Sequence, residues 1–131
     1  MVYLTKDDLL DLHAFVLTRY GGRLGISSQD RLTNALDAPQ QVMFGAELYP
    51  DLPSKAAALT FLLLKNRPFV KGNQGTALLA LLRFLAVNGA GLDPAVAPED
   101  LRDMIRSVDQ SRCDKEQLEQ WLRERVVTQA S

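Results

Sequence analysis

Asn66-Arg67-Pro68-Phe69-Val70-Lys71-Gly72-Asn73-Gln74-Gly75-Thr76 stands mid-chain, between two strongly apolar segments. Pro68 fixes its own φ and biases Arg67 away from the helical region, so a preceding helix should stop there. Gly72 and Gly75 permit backbone shapes that other residues resist. From Thr76 to Val87 the chain reads as a buried helix. The first N–H groups of such a helix lack intrahelical partners and carry the positive end of its dipole. The stretch is therefore a turn that opens a helix. Two uses of it stay open at this point, a plain helix–helix connection or a cradle for an anion.

On the near side of the turn, Ser54 to Asn66 carries Ala56, Leu59, Thr60, Leu63 and Leu64, with Pro53 suited to its first position. On the far side, the run from Ala77 to Leu82 continues into Phe84, Leu85 and Val87, and Asn88-Gly89 ends it. A helix that is apolar nearly all round belongs in a core. These two helices, joined by the turn, are expected at the centre of one compact domain over residues 1–131. The remaining segments surround them. Thr5 reads as an N-cap, and Leu9, Leu12, His13, Val16 and Tyr20 form one stripe that Tyr20-Gly21-Gly22 ends. Gln29 to Ala38 is a short helix closed by Pro39. Glu99 to Val108 and Asp114 to about Val127 are amphipathic, and Leu92 to Pro98 links the core to them. No useful strand alternation occurs, so the class is all-α. His13, the only histidine, reads as a packed, hydrogen-bonded residue.

The stretch from Gln40 to Pro53 has no regular pattern. Its apolar residues Met43, Phe44, Leu48 and Tyr49 either pack as an Ω-type segment or serve a function.

The 131 residues include 15 basic and 16 acidic side chains, a net charge of -1, which gives no global pull toward nucleic acid or anionic membrane. The single cysteine, Cys113, rules out an internal disulfide and a cysteine-based metal site, and fits a reducing, cytoplasmic compartment. One histidine cannot build a multi-histidine metal site. No signal-peptide layout or membrane-length apolar run is expected.

Several features occur together in one order: Leu12-His13, Tyr20-Gly21-Gly22, Tyr49-Pro50, Lys55-Ala56-Ala57, the central stretch, and Phe84-Leu85-Ala86-Val87-Asn88-Gly89. Together they resemble the Fic/Doc family, on the side of the death-on-curing toxins, over roughly residues 3 to 127. The resemblance implies a helical fold and a nucleotide-dependent transferase, with ATP as the candidate nucleotide. Family members attach a nucleoside monophosphate or a phosphate to a protein hydroxyl. The death-on-curing members are neutralised by an antitoxin segment.

The family motif is His-Pro-Phe-x-Asp/Glu-Gly-Asn-Gly/Lys-Arg. Here the histidine position is Arg67, the acidic position Lys71, the Gly/Lys position Gln74 and the arginine position Gly75. Arginine stays protonated, so Arg67 cannot act as a general base. A charged lysine has no lone pair for Mg²⁺, so no metal is expected at the motif. Gly75 has no side chain to clamp a phosphate. General-base loss alone typically costs ~10²–10⁴-fold. The expected site therefore has no intact catalytic residue among Arg67, Lys71 and Gly75, and retains Lys71, Gly72, Asn73 and Gln74 as anion- or nucleotide-binding candidates. Phe44, Leu48 and Tyr49 are candidates for contact with a target or an antitoxin-like partner, because the family docks targets on that loop. The family's inhibitory Ser/Thr-x-x-x-Glu pattern is absent. Three functions remain: a pseudo-enzyme that binds without transfer, an active transferase using Lys71 in place of metal, or a regulatory or nucleic-acid module, which the balanced charge disfavours.

Overall fold

The structure, a computed structural model, describes residues 1–21 and 25–129. Six α-helices account for most of it: α1 Lys6–Tyr20, α2 Gln29–Asp37, α3 Leu52–Asn66, α4 Asn73–Val87, α5 Pro98–Asp109 and α6 Lys115–Arg125. A 3₁₀ turn, Ala38–Gln40, follows α2. The expected all-α domain is thus the observed one, and α3 and α4 lie at its centre. Ala56, Ala57, Leu59, Leu63 and Leu64 of α3 are buried, as are Ala77, Ala80, Leu81, Phe84 and Leu85 of α4. Each fully buried large apolar side chain of this kind contributes roughly 1.5–3 kcal/mol. Around this pair, α1 brings Leu9 and Val16, α2 brings Leu32 and Ala35, α5 brings Leu101, Ile105 and Val108, and α6 brings Leu118 and Leu122.

Local chemistry sets the boundaries. Thr5 and Asp8 form a reciprocal capping box at the start of α1, and Gly21 ends it with φ 75°. Gly22 of the expected stop lies outside the described residues. Asp51 and Ser54 form a second capping box, so α3 starts at Leu52, two residues before the expected Ser54. Pro39 does not terminate the chain's turning after α2; it sits inside the 3₁₀ turn, where its missing N–H costs nothing. Helix α4 starts at Asn73, within the central stretch and ahead of the expected Thr76.

Two short antiparallel ladders were not anticipated. Strand β1, Val42–Met43, pairs with β2, Ala46–Glu47. Strand β3, Ala90–Leu92, pairs with β4, Val126–Thr128. The second ladder shortens α6, because the β-branched run Val126-Val127-Thr128 leaves the helix to pair with Ala90–Leu92, of which only Leu92 fell in the expected linker.

Candidate functional site

The turn between α3 and α4 is held from four sides. Arg67 is the C-cap of α3 and adopts the left-handed conformation, φ 47° and ψ 60°, which is unusual for a side-chain-bearing residue. The preceding-proline effect anticipates a departure from right-handed helix there. Ser27 N donates to Pro68 O at 2.7 Å, Val70 N donates to Gly25 O at 3.1 Å, and Ile26 bridges to Phe69. Residues 25–28 thereby run along the turn as a short antiparallel strap. Asn73, itself buried, accepts from Phe69 N at 3.0 Å and donates to Phe69 O at 2.9 Å. Its carboxamide is spent on closing the loop, so Asn73 can reach an anion only through its backbone N–H.

His13 provides the third support. Its ring is 1% exposed and stacks on Phe69 at 3.9 Å between centroids. Its Nε2 donates to Lys71 O at 2.8 Å; a carbonyl only accepts, so Nε2 carries the proton. Packed this way, His13 shapes the motif backbone and is not available as a replacement base.

The fourth support comes from the last residue of α5. Asp109 accepts from Arg67 Nη1 at 2.8 Å and from Gln74 Nε2 at 2.6 Å. One carboxylate therefore holds both the residue at the family's histidine position and the residue at its Gly/Lys position.

Beside the turn opens a cavity of about 610 Å³. Phe15 and Val16 of α1, Leu78 and Leu79 of α4 and Ile105 of α5 supply apolar walls; Gly72 to Gly75 form one edge; Arg19, Arg67, Arg102 and Arg106 also line it. No acidic side chain belongs to that lining among the described residues. Among the described residues, Arg102 and Arg106 pair with the exposed carboxylates of Glu99 and Asp103, at 3.5 and 3.3 Å. Such exposed pairs are weak, roughly 0–1 kcal/mol, and leave both cations exchangeable. Gly72, at φ 82°, is the N-cap of α4, and Thr76 N makes the first helical bond to Gly72 O. The N–H groups of Asn73, Gln74 and Gly75 thus head the helix at the cavity edge. Lys71, a candidate for anion binding from the sequence, is exposed and is not among the residues that line the cavity.

The site brings together Arg67, Gly72, Asn73, Gln74 and Gly75 as the sequence suggested. Phe44, Leu48 and Tyr49 lie elsewhere, on a separate projection. Phe44-Gly45 forms the tip of the β1–β2 hairpin with φ 52° and 80°, the signs of a type I′ turn. Phe44 is fully exposed there, and Val42, Met43 and Leu48 are exposed with it. Of the two readings of this stretch, Ω-type packing does not describe Met43, Phe44 and Leu48, because a two-residue hairpin turns its tip into solvent. Tyr49 is half-buried at the base, where its hydroxyl accepts from Lys115 Nζ at 2.8 Å. Lys55, 2% exposed, fixes both ends of the projection, donating to Pro39 O and to Glu47 Oε1, each at 2.9 Å. Burial alone would lower the Lys55 pKa; the Glu47 carboxylate and the Tyr3 hydroxyl outweigh it and raise the value.

Sequence reasoning missed Asp109, Arg19, Arg102 and Arg106. Arg19 ends α1 and the other three belong to α5, and only tertiary packing brings the arginines to the cavity and Asp109 to the turn.

A helical core around a Pro-Phe turn, with the opening helix N-terminus at a cavity, defines the class: the chain belongs to the Fic/DOC family, whose profile matches residues 3–85. It is 33% identical over 112 residues to Toxin Doc of Mycolicibacterium smegmatis, covering 86% of this chain and 84% of that protein. The profile match ends within α4, so Arg102, Arg106 and Asp109 lie beyond it. The family's Mg²⁺ does not fit the donor set here. Lys71 stands at the acidic position, the cavity lining has no carboxylate, and no cluster of metal-ligating side chains occurs among the described residues. No helix among the described residues is long and apolar enough to cross a membrane.

Proposed function

We propose that this protein is a Fic/DOC-family pseudo-enzyme. It binds an anionic ligand, a nucleotide phosphate or an acidic antitoxin-like segment, in the motif cavity and transfers nothing. The observation that carries this reading is the cavity's chemistry. Four arginines and a helix N-terminus converge on it, while the base, metal-ligand and phosphate-clamp positions hold Arg67, Lys71 and Gly75. Cations and apolar walls together suit a ligand with an acidic and an apolar part. Transfer needs a group that accepts the hydroxyl proton, and Arg67 cannot. His13, the only histidine, is buried with its Nε2 proton committed to Lys71 O. The exposed hairpin tip at Phe44 supports a separate contact with a protein partner.

The test is label transfer. The protein is incubated with α- and γ-labelled ATP, Mg²⁺ and a bacterial lysate, with ATP binding followed in parallel by the shift in melting temperature. Nucleotide-dependent stabilisation without labelled product is expected. Labelled protein above the buffer control overturns the pseudo-enzyme reading and favours transfer with Lys71 in place of the metal.

A further inference from the structure

The geometry points to Asp109 as an internal anion that occupies the cationic face of the motif turn and competes with the ligand for Arg67 and Gln74. The inference rests on the anion-binding reading above and says how that site is regulated from within the chain.

Three observations carry it. First, the Asp109 carboxylate is 9% exposed, whereas Arg67 is 57% exposed, so the acid is buried at the turn and the arginine reaches over it from the solvent side. Second, both carboxylate oxygens are used, one by Arg67 and one by Gln74. Those partners line the cavity, and they stand at the family's histidine and Gly/Lys positions. Third, Asp109 ends α5, where the helix dipole disfavours a negative charge. Local helix preference therefore does not explain an acid there, whereas the two donors from the turn do. Lys65 adds a fixed positive neighbour, donating to Asp109 O at 3.4 Å and to the Ser111 hydroxyl.

A phosphate or carboxylate entering the cavity meets the same two donors. It gains Arg67 only by displacing Asp109 or by sharing the guanidinium with it. Arginine carries enough N–H groups for two acceptors, so the ligand can enter, but at reduced affinity. Replacing the acid by asparagine leaves one acceptor for the two donors, frees the other donor and removes a like charge from the ligand's neighbourhood.

The experiment is calorimetric titration of the full chain with pyrophosphate at low salt and without metal. Asp109→Asn keeps the side chain's size and is checked for folding by its thermal melt. Asp100→Asn, the same charge change on another part of α5, is the control. The expected result is about two- to fivefold tighter pyrophosphate binding in Asp109→Asn, the range of one solvent-screened charge pair. No gain is expected in Asp100→Asn, and the gain should be lost when Arg67→Gln is added. Equal gains in the two asparagine variants overturn the proposal, since net charge alone would then be responsible. Wild-type binding that Asp109→Asn leaves unchanged also overturns it and leaves the anion-binding reading standing. Absence of binding in every variant overturns that reading and the competition together.

Discussion

Gly75 replaces the family's phosphate-clamping arginine, and the structure gives a reason that can be measured. A Cβ added there would stand 3.0 Å from Val16 Cγ1 and 3.3 Å from Cγ2. Val16 is buried on α1, and its β-branched side chain holds one strongly preferred χ1 in a helix, so its methyl groups yield only at a cost. In an open helical position, Gly→Ala stabilises by roughly 0.5–1 kcal/mol. Overpacking against a buried side chain costs about 1–3 kcal/mol. The second effect exceeds the first, so Gly75→Ala is expected to destabilise by roughly 0.5–2 kcal/mol. In a Val16→Ala background the obstruction is gone, and Gly75→Ala should become stabilising. Urea melts of the two single variants and the double variant form a closed cycle, with an expected coupling of about 1–2 kcal/mol. A Gly75→Ala variant more stable than the parent in the native Val16 background would refute the reasoning. The functional corollary concerns reversion. Arg67→His, Lys71→Asp and Gly75→Arg together are expected to fold and bind nucleotide only when Val16→Ala makes space, so the site's packing has changed along with its side chains.

Two further outcomes follow from the ion pairs. Lys55→Met leaves the Pro39 carbonyl, buried in the 3₁₀ turn, without its donor and should cost roughly 1–3 kcal/mol. It should also raise hydrogen exchange at the Leu48 amide, which donates to Gln41 O across the hairpin. Because the Lys55 pKa is raised, its contribution is complete below the unfolded lysine value, about 10.4, and fades only as pH climbs through the folded value; the experiment is therefore run near pH 7. Unchanged exchange would mean the hairpin is held by other contacts.

Asp51 is held well below the usual carboxylate range, first by the Arg123 guanidinium at 2.5 Å and then, against the opposing effect of burial, by Ser54. A depressed carboxylate contributes stability above its unfolded pKa, about 3.9, and loses it as pH falls toward the folded value. Both partners are more than a third exposed, so the discounted contribution is roughly 0.5–1 kcal/mol. Arg123→Gln should flatten the loss of stability between pH 5 and 2, on the order of that amount, measured by melts at fixed ionic strength. Identical acid slopes in parent and variant would show the pair to be inert.

The amino-acid sequence by itself determined the two core helices, the turn between them and the family. Ala56 to Leu64 and Ala77 to Leu85 are apolar nearly all round, and such segments belong in the interior. Pro68, Gly72 and Asn73 then mark the turn through local φ preferences and capping, which need no tertiary partner. Arg67, Lys71 and Gly75 are legible as lost chemistry because protonation and ligand capacity belong to the side chain. What tertiary structure decided is where charge and space meet. Asp109 lies 42 positions from Arg67 in the chain and reaches it at 2.8 Å. The Gly75 contact depends on α1 crossing α4 at Val16. The Phe44 hairpin depends on Lys55 being buried beneath it. Helical periodicity says only that a charged face points away from its own helix's core. Whether it meets water, a carboxylate or a cavity is set by the angle at which the next helix packs, and no local residue preference encodes that angle.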